Sequence, residues 1–537
     1  MDEEMSFPNP VVRTDLPVKK RIWPKVVVAL VLTVILSVVF LPQILNNRIG
    51  RRIFRAQLEG KLHSDMAIGG MHCSWFGGTT ATQVWIKSAD GRSIGFNSLK
   101  CDMSLSQMLR GKYALGNCEV DGLVIDYVLD IGDDNHHDTY ELMTGAVPRG
   151  PNSPPSALST LSGNIKLTNA QLSLSRQFTD PVKLVQGSQT IRFVGLDGEF
   201  KIPSLDQPWT YKLEGTTGTT GEERGDNCKS SGTICLGKDG LLTPANISVD
   251  ATFDGNDVPT NLAAVFLPMI SADDARTGFG NSFDRVKATL KGTGGVLQLN
   301  IIEAASSIAQ VHLQPTIDLN TQPSTLKIFS KSPEENQITA AFPTSRGPVR
   351  RGLTCINPFA ASAVSGTVVL KIESLEMSVS RTWEKGSAKA TLDFHDLAMP
   401  AKYDIPSSEL PKDFAAQIAL ITGRTDAGEI ILQASHRFTM ELGEIALTPT
   451  DFTFSGTPMS VTGTSYTSFT EGKSMALKLK VACPILAGSA SATIPVVGKP
   501  DRPMLNLDAA KSDLPIDTAR VLRETRDKHL ASLRAKL

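Results

Sequence analysis

Apolar and polar residues alternate with a period of two along much of this chain. Leu123, Ile125, Tyr127 and Leu129 fall on one side of an extended segment, and Leu99, Cys101 and Met103 do the same. Ile165 and Leu167, then Leu172 and Leu174, repeat the pattern, as do Leu297, Leu299 and Ile301. Leu370 and Ile372 follow, then Leu375, Met377 and Val379; near the end Leu477, Leu479 and Val481 alternate with Lys478 and Lys480. Successive side chains of a strand point to opposite faces, so each run predicts a strand with one apolar and one wet side. Asp90-Gly91, Asp121-Gly122, Asp197-Gly198 and Gly294-Gly295 punctuate the runs as turns. Strands joined by such short turns predict antiparallel sheet.

Helical spacing is rarer. It marks 104–110, with Ser104 as the cap, 260–269 behind Pro259, and 408–422, which presents Phe414, Ala415, Ile418 and Ile421. The last stretch, 514–537, predicts an amphipathic helix setting Leu522, Leu530, Leu533 and Leu537 against Arg520, Arg523, Arg526, Arg534 and Lys536. Its basic side reads as a solvated face.

One segment obeys neither period. Residues 26–45 (VVVALVLTVILSVVFLPQIL) carry no charge and are flanked by Lys19, Lys20, Arg21 and Lys25 before and Arg48, Arg51, Arg52 and Arg55 after. Roughly 20 helical residues span a bilayer core of about 30 Å. The run is longer than the apolar part of a cleaved signal, and no small-residue cleavage site follows it. A retained single-span anchor is expected, at 25–45, behind a cytoplasmic tail at 1–24. Basic residues balance on its two sides, so charge does not orient it.

The expected organisation after the anchor is an N-terminal β module at 46–144, a Pro-rich linker at 145–157 (GAVPRGPNSPPS and the next residue), a central β region at 158–345, a C-terminal β region at 346–513 and the final helix. A net charge of −1 removes any bulk pull toward nucleic acid. Gly 43 and Pro 31 supply a chain with many turns.

Catalytic motifs are scarce. H-E-x-x-H, G-x-S-x-G and the dinucleotide-binding glycine pattern do not occur. Glu471-Gly472-Lys473-Ser474 ends like a phosphate-binding loop but lacks the earlier glycine and precedes a strand pattern, so it reads as a hairpin turn. Asp130–Asp138 gathers acids and histidines, and Asp133, Asp134, His136, His137 and Asp138 are its weak metal candidates; the spacing does not fit a calcium loop, and a solvated loop explains it. His395 and His436 stand alone among strand patterns and read as structural. Of the seven cysteines, Cys228 and Cys235 share a short polar stretch and could close a hairpin disulfide in an oxidising compartment; the others are too scattered for a zinc cluster. Asn246-Ile247-Ser248 is a glycosylation sequon by pattern.

The stretch 67–130 carries a resemblance. Trp75-Phe76-Gly77 leads into a strand; Asp90-Gly91-Arg92-Ser93-Ile94, Leu99, Leu105, Leu109 and the run Leu115 to Val120 follow; Asp121-Gly122-Leu123 opens the last strand. Near the other end stands Pro495-Val496-Val497-Gly498 with Pro503 behind it. Together these resemble the N-terminal module and the closing strand of AsmA-like and TamB-like envelope proteins. The loop after Asp130 departs from that family's D-G-x-x-N.

The resemblance implies an inner-membrane protein with its bulk in the periplasm, built as a long curled sheet around an apolar groove and serving envelope lipid homeostasis or outer-membrane biogenesis as a bridge-like lipid carrier. Alternation and resemblance lead to one expectation: a mostly β fold, a long curled antiparallel sheet with a few short helices, that is non-enzymatic, needs no cofactor and holds membrane lipids. Its groove candidates are Leu123, Ile125, Tyr127, Leu297, Leu299, Leu477 and Leu479. Envelope proteins are further expected partners, and nucleic acid is not. Two alternatives stand beside it: an anchored β-sandwich that binds proteins, and a metal-dependent hydrolase built on the 133–138 cluster.

Overall fold

The alternating runs become strands of a single sheet in the computed structural model. It describes residues 42–43, 46–48, 51–52, 55–56 and 64–536 apart from 89–92, 111, 130–160, 180–185, 205, 220–223, 238–243, 263–271, 322–323, 344–347, 379–385, 401–412, 423–428, 442–443, 455–456, 467–475 and 483–490. The apolar run 26–45 thus falls almost wholly outside the described residues, as do the linker at 145–157 and the cluster at 133–138. Among the described residues no helix is long and apolar enough to cross a membrane.

The sheet has 25 strands among the described residues. Strands β1 (Ser64–His72), β2 (Thr79–Ser88) and β3 (Ser93–Cys101) form an antiparallel meander. Helix α1 (Leu105–Leu109) follows, its first turn closed by the Gln107 side chain, which accepts the Ser104 backbone N–H at 2.8 Å. Next come β4 (Ala114–Asp121) and β5 (Val124–Leu129). Both are antiparallel to β3 and parallel to β6 (Ser162–Thr179). The sheet is therefore mixed at this one place, not purely antiparallel. A parallel neighbour needs a crossover, and 130–160 provides the chain length for it.

From β6 the meander runs through β7 (Gln186–Ile202), β8 (Trp209–Thr219), β9 (Arg224–Cys235) and β10 (Ser248–Pro259). Helix α2 (Ala272–Phe279) precedes β11 (Ser282–Thr293) and β12 (Val296–Ala305). Four short strands then share two positions. β13 (Ala309–His312) and β14 (Thr316–Asp318) both pair with β12, while β15 (Thr325–Phe329) and β16 (Gln337–Ala341) both pair with β17 (Ser365–Ser378). Helix α3 (Pro348–Ile356) lies between β16 and β17. Pairing continues without a break across the boundary expected at 345, so the central and C-terminal regions share one sheet.

The last part is β18 (Ser387–Pro400), helix α4 (Phe414–Thr422), β19 (Glu429–Glu441), β20 (Glu444–Phe454), β21 (Thr457–Tyr466), β22 (Ala476–Ala482) and β23 (Ser491–Lys499). β24 (Arg502–Leu505) and β25 (Lys511–Ser512) share the edge beside β23, and α5 (Thr518–Lys536) ends the chain. Among the described residues no pairing joins β1 to β24 or β25, so the described sheet has two edges.

The expected turn at Asp121-Gly122 is something else. Ser98 faces Asp121 and Gly95 faces Val124, so β4 and β5 keep one register against β3 and form a single bent strand. Gly122 sits at φ 62°, and a Cβ there would overlap the Asn97 side chain. Neighbouring strands are irregular at the same level. Gln83 of β2 (φ 51°) packs against Gly69 of β1. Asn169 of β6 (φ 50°) donates its N–H to the Asp197 carboxylate of β7 at 2.8 Å, two residues from Gly195 (φ 58°). Bulges bend strands and raise their twist. Here such irregularities recur at one level of the ladder from β1 to β7.

Candidate functional site

Following register across the ladder shows which side chains share a face. Phe200 stands beside Tyr211, Tyr211 beside Gly232, Gly232 beside Ala251, Ala251 beside Leu290 and Leu290 beside Leu299. Leu297 leads on through Ile317 and Leu326 to Met377. Ile338 leads through Leu370 and Leu392 to His436. At the end Val461 stands beside Leu479 and Leu479 beside Ile494. One side of the sheet is therefore apolar along these ladders from β7 to β23.

The other side is charged. Lys229 meets Glu214 at 3.4 Å, Lys291 meets Asp250 at 3.3 Å and Arg285 meets Asp254 at 3.1 Å, all cross-strand and exposed. The hydrogen bond from Arg285 holds the Asp254 carboxyl below its usual range. Exposed pairs of this kind contribute at most about 1 kcal/mol each. Their effect is to keep one side wet and the register single.

The apolar side is roofed unevenly. Over β17–β23 it lies under α3, α4 and α5 in a core where Phe359, Phe394, Leu397, Ile418, Leu432 and Val461 are all buried. Every described residue of α4 except Gln417 is buried, and Gln417 accepts the Leu505 N–H at 3.0 Å. Phe359 meets Phe414 edge-on at 5.3 Å and Phe452 at 5.9 Å. Arg350 of α3 donates to Ala361 O at 2.9 Å and Ala363 O at 2.8 Å, and His529 of α5 bonds Leu420 O at 2.7 Å.

His436 sits inside this core, fully buried. The Asn357 amide donates to its Nε2 at 3.0 Å, while Asn357 Oδ1 accepts from Phe359 N–H. Among the described residues Nδ1 has no hydrogen-bond partner. Burial draws the His436 pKa down to about 4, against a smaller opposing pull from Asp393, so the ring is neutral at pH 7.

Over the middle of β5–β12, between α1 at one end and α2 at the other, no described helix lies on the same side. Ile125, Leu172, Phe193, Leu213, Phe253 and Leu290 lie on it and are half-buried, whereas Ile191, Tyr211 and Leu297 on the same side are buried. Phe200 stacks on Tyr211 with centroids 5.9 Å apart. Helix α1 covers the beginning of the face, where Cys101, Met103, Cys118, Val120 and Leu167 form a small core. Helix α2 closes only the end marked by Val258, Phe283 and Ala304.

No family model matches this chain, and no curated protein does.

The expected groove residues divide between the two regimes. Leu123, Ile125 and Tyr127 are half-buried on the β4–β5 strand, and Leu299 is half-buried on β12, with Leu297 beside it at 7% exposure. Leu477 and Leu479, at 1% and 0%, are interior residues of the helix-roofed core and line no open surface. The Cys228–Cys235 hairpin bond does not form: both thiols are free and both residues sit on β9. Seven strand residues span about 23 Å, and the odd spacing points the two side chains to opposite faces. Asp133, Asp134, His136, His137 and Asp138 lie outside the described residues; among those described, no three metal-ligating side chains converge.

Sequence reading missed several residues of this apolar face. Trp209, Tyr211 and Leu213 alternate with Thr210, Lys212 and Glu214, and Val249, Ala251 and Phe253 alternate with three polar residues. That signal was present. It was hidden by β9, whose Gly, Ser and Cys content imitates a loop.

Proposed function

We propose that this chain is a membrane-anchored, non-enzymatic protein of envelope biogenesis, similar to the AsmA-like and TamB-like proteins, that binds or conducts lipid acyl chains along the half-covered apolar face of a curled sheet. One observation carries the reading: a single apolar face, sealed by helices over β17–β23 and unroofed among the described residues over the middle of β5–β12. An apolar face half in water favours an apolar occupant, and each CH₂ of an acyl chain placed there is stabilised by about 0.8 kcal/mol. Burial of this kind is non-directional, so chains slide along the face without catalytic groups. The stacked bulges across β1–β7 support curling.

The anchor is the run 26–45, with the bulk of the chain in the periplasm. Asn46, the residue after that run, accepts the Cys73 N–H at 2.8 Å and donates to Cys73 O at 3.3 Å. These bonds would bring the anchor to the β1 edge, where lipid leaving the bilayer meets the face first.

The test is extraction of the full chain in mild detergent, with a photo-crosslinking residue in place of Phe253, Leu299 or Leu479, followed by mass spectrometry of bound lipid. Adducts at the first two positions and none at Leu479 are expected. Equal labelling at all three, or lipid-free protein, would refute the reading. A second reading, a protein-binding β-sandwich, draws on the sealed core over β17–β23; recovery of a stoichiometric protein partner without lipid would favour it.

A further inference from the structure

Spacing along the chain gives no reason to connect Cys101 with Cys118. The ladder sets them directly opposite each other on β3 and β4. The N–H of Asp102 donates to Asn117 O at 3.1 Å, so 102 and 117 form the hydrogen-bonded pair of this antiparallel ladder. Bonded and non-bonded pairs alternate, which makes 101 and 118 a non-hydrogen-bonded pair with Cα atoms about 4.5 Å apart and side chains at their closest. A disulfide accepts Cα separations of roughly 4.4–6.8 Å. Both side chains are buried on the apolar face beneath Met103 and α1.

We propose that Cys101 and Cys118 are a disulfide-forming pair that ties β3 to β4 across the base of the α1 arch. One of the two thiolates displaces one sulfur of an external disulfide, either oxidised glutathione or a thiol–disulfide oxidoreductase, and forms a mixed disulfide; the other then attacks the protein sulfur of that mixed disulfide, giving the intramolecular bond and expelling the second external thiol. Two S–H bonds are lost, one S–S bond forms, and two electrons and two protons leave on the external disulfide as its two thiols. Burial places this exchange during folding, before α1 closes over the pair. The inference rests on strand register alone and is independent of the lipid reading.

The test uses the full chain refolded with oxidised glutathione, then denatured and alkylated without reductant. Recovery of one linked peptide pair holding Cys101 and Cys118, with Cys73, Cys228, Cys235, Cys355 and Cys483 alkylated, is expected. The melting temperature should fall when reductant is added and should not respond in the Cys101→Ala, Cys118→Ala double variant. Alkylation of both cysteines after oxidative refolding, or a linked peptide joining either of them to Cys73, would overturn it.

Discussion

The strands β5–β12 and β17–β23 are built on the same alternation and share one apolar side, yet they end in different states. In the second region three helices complete a closed interior; in the first, many side chains of the same kind are only half-buried among the described residues. The strands themselves do not separate the two. The roof does: α4 (FAAQIALIT) is apolar almost all round, which only a buried helix is. A period of two therefore says that a face is apolar and leaves open what lies against it.

The sharpest way to break this comparison is truncation in both regions. Phe359→Ala should cost about 3–5 kcal/mol in denaturant unfolding, the usual price of a large void in a close-packed interior. Phe253→Ala, on the half-buried face, should cost only about 1 kcal/mol. Equal losses would mean that both faces are ordinary core.

Protonation gives the next largest effect. The folded state holds His436 neutral down to about 4, whereas an unfolded chain takes up that proton near 6.5. Between these values the unfolded state binds more protons, so the contribution is complete above 6.5 and is lost as pH falls toward 4, by about 3 kcal/mol in all. Asp393 acts at still lower pH. Burial pushes its carboxyl up, but hydrogen bonds from Lys371 at 2.8 Å and Ser435 at 2.5 Å outweigh this and hold it below its ordinary value. His436→Gln should flatten the upper part of the profile of midpoint against pH. An unchanged slope in that variant would assign the effect elsewhere.

A charge on the open face probes occupancy with little structural cost. Leu299→Lys should lower co-purifying lipid several-fold while moving the unfolding midpoint little, because the ammonium still reaches water. A collapse of stability instead would show that the face is already sealed. The smallest effect belongs to the wet side: Lys291→Ala should change stability by less than about 0.5 kcal/mol, measured at low salt.

Much of this was legible in residue order. Alternation located β5 around Ile125 and Tyr127, β12 around Leu297 and Leu299, and β22 around Leu477 and Leu479, while Ser104 and Phe414 marked two of the helices. Three things were not. β9 (RGDNCKSSGTIC) forms a strand because β8 and β10 pair with it on both sides, overriding its own preference for turns. Asp121-Gly122 has turn chemistry, but the unbroken register against β3 turns it into a bend. The fate of Leu477 and Leu479 depended on helices far away in the chain, which local pattern does not encode.

The stacked irregularities from Gln83 through Gly122 to Asn169 and Gly195 have a mechanical consequence. Where the ladder is interrupted at the same height in neighbouring strands, fewer backbone hydrogen bonds resist flexing along that line. Like the score in a sheet of card, the line decides where deformation goes. Bending along that line would leave the strand pairing on either flank in place.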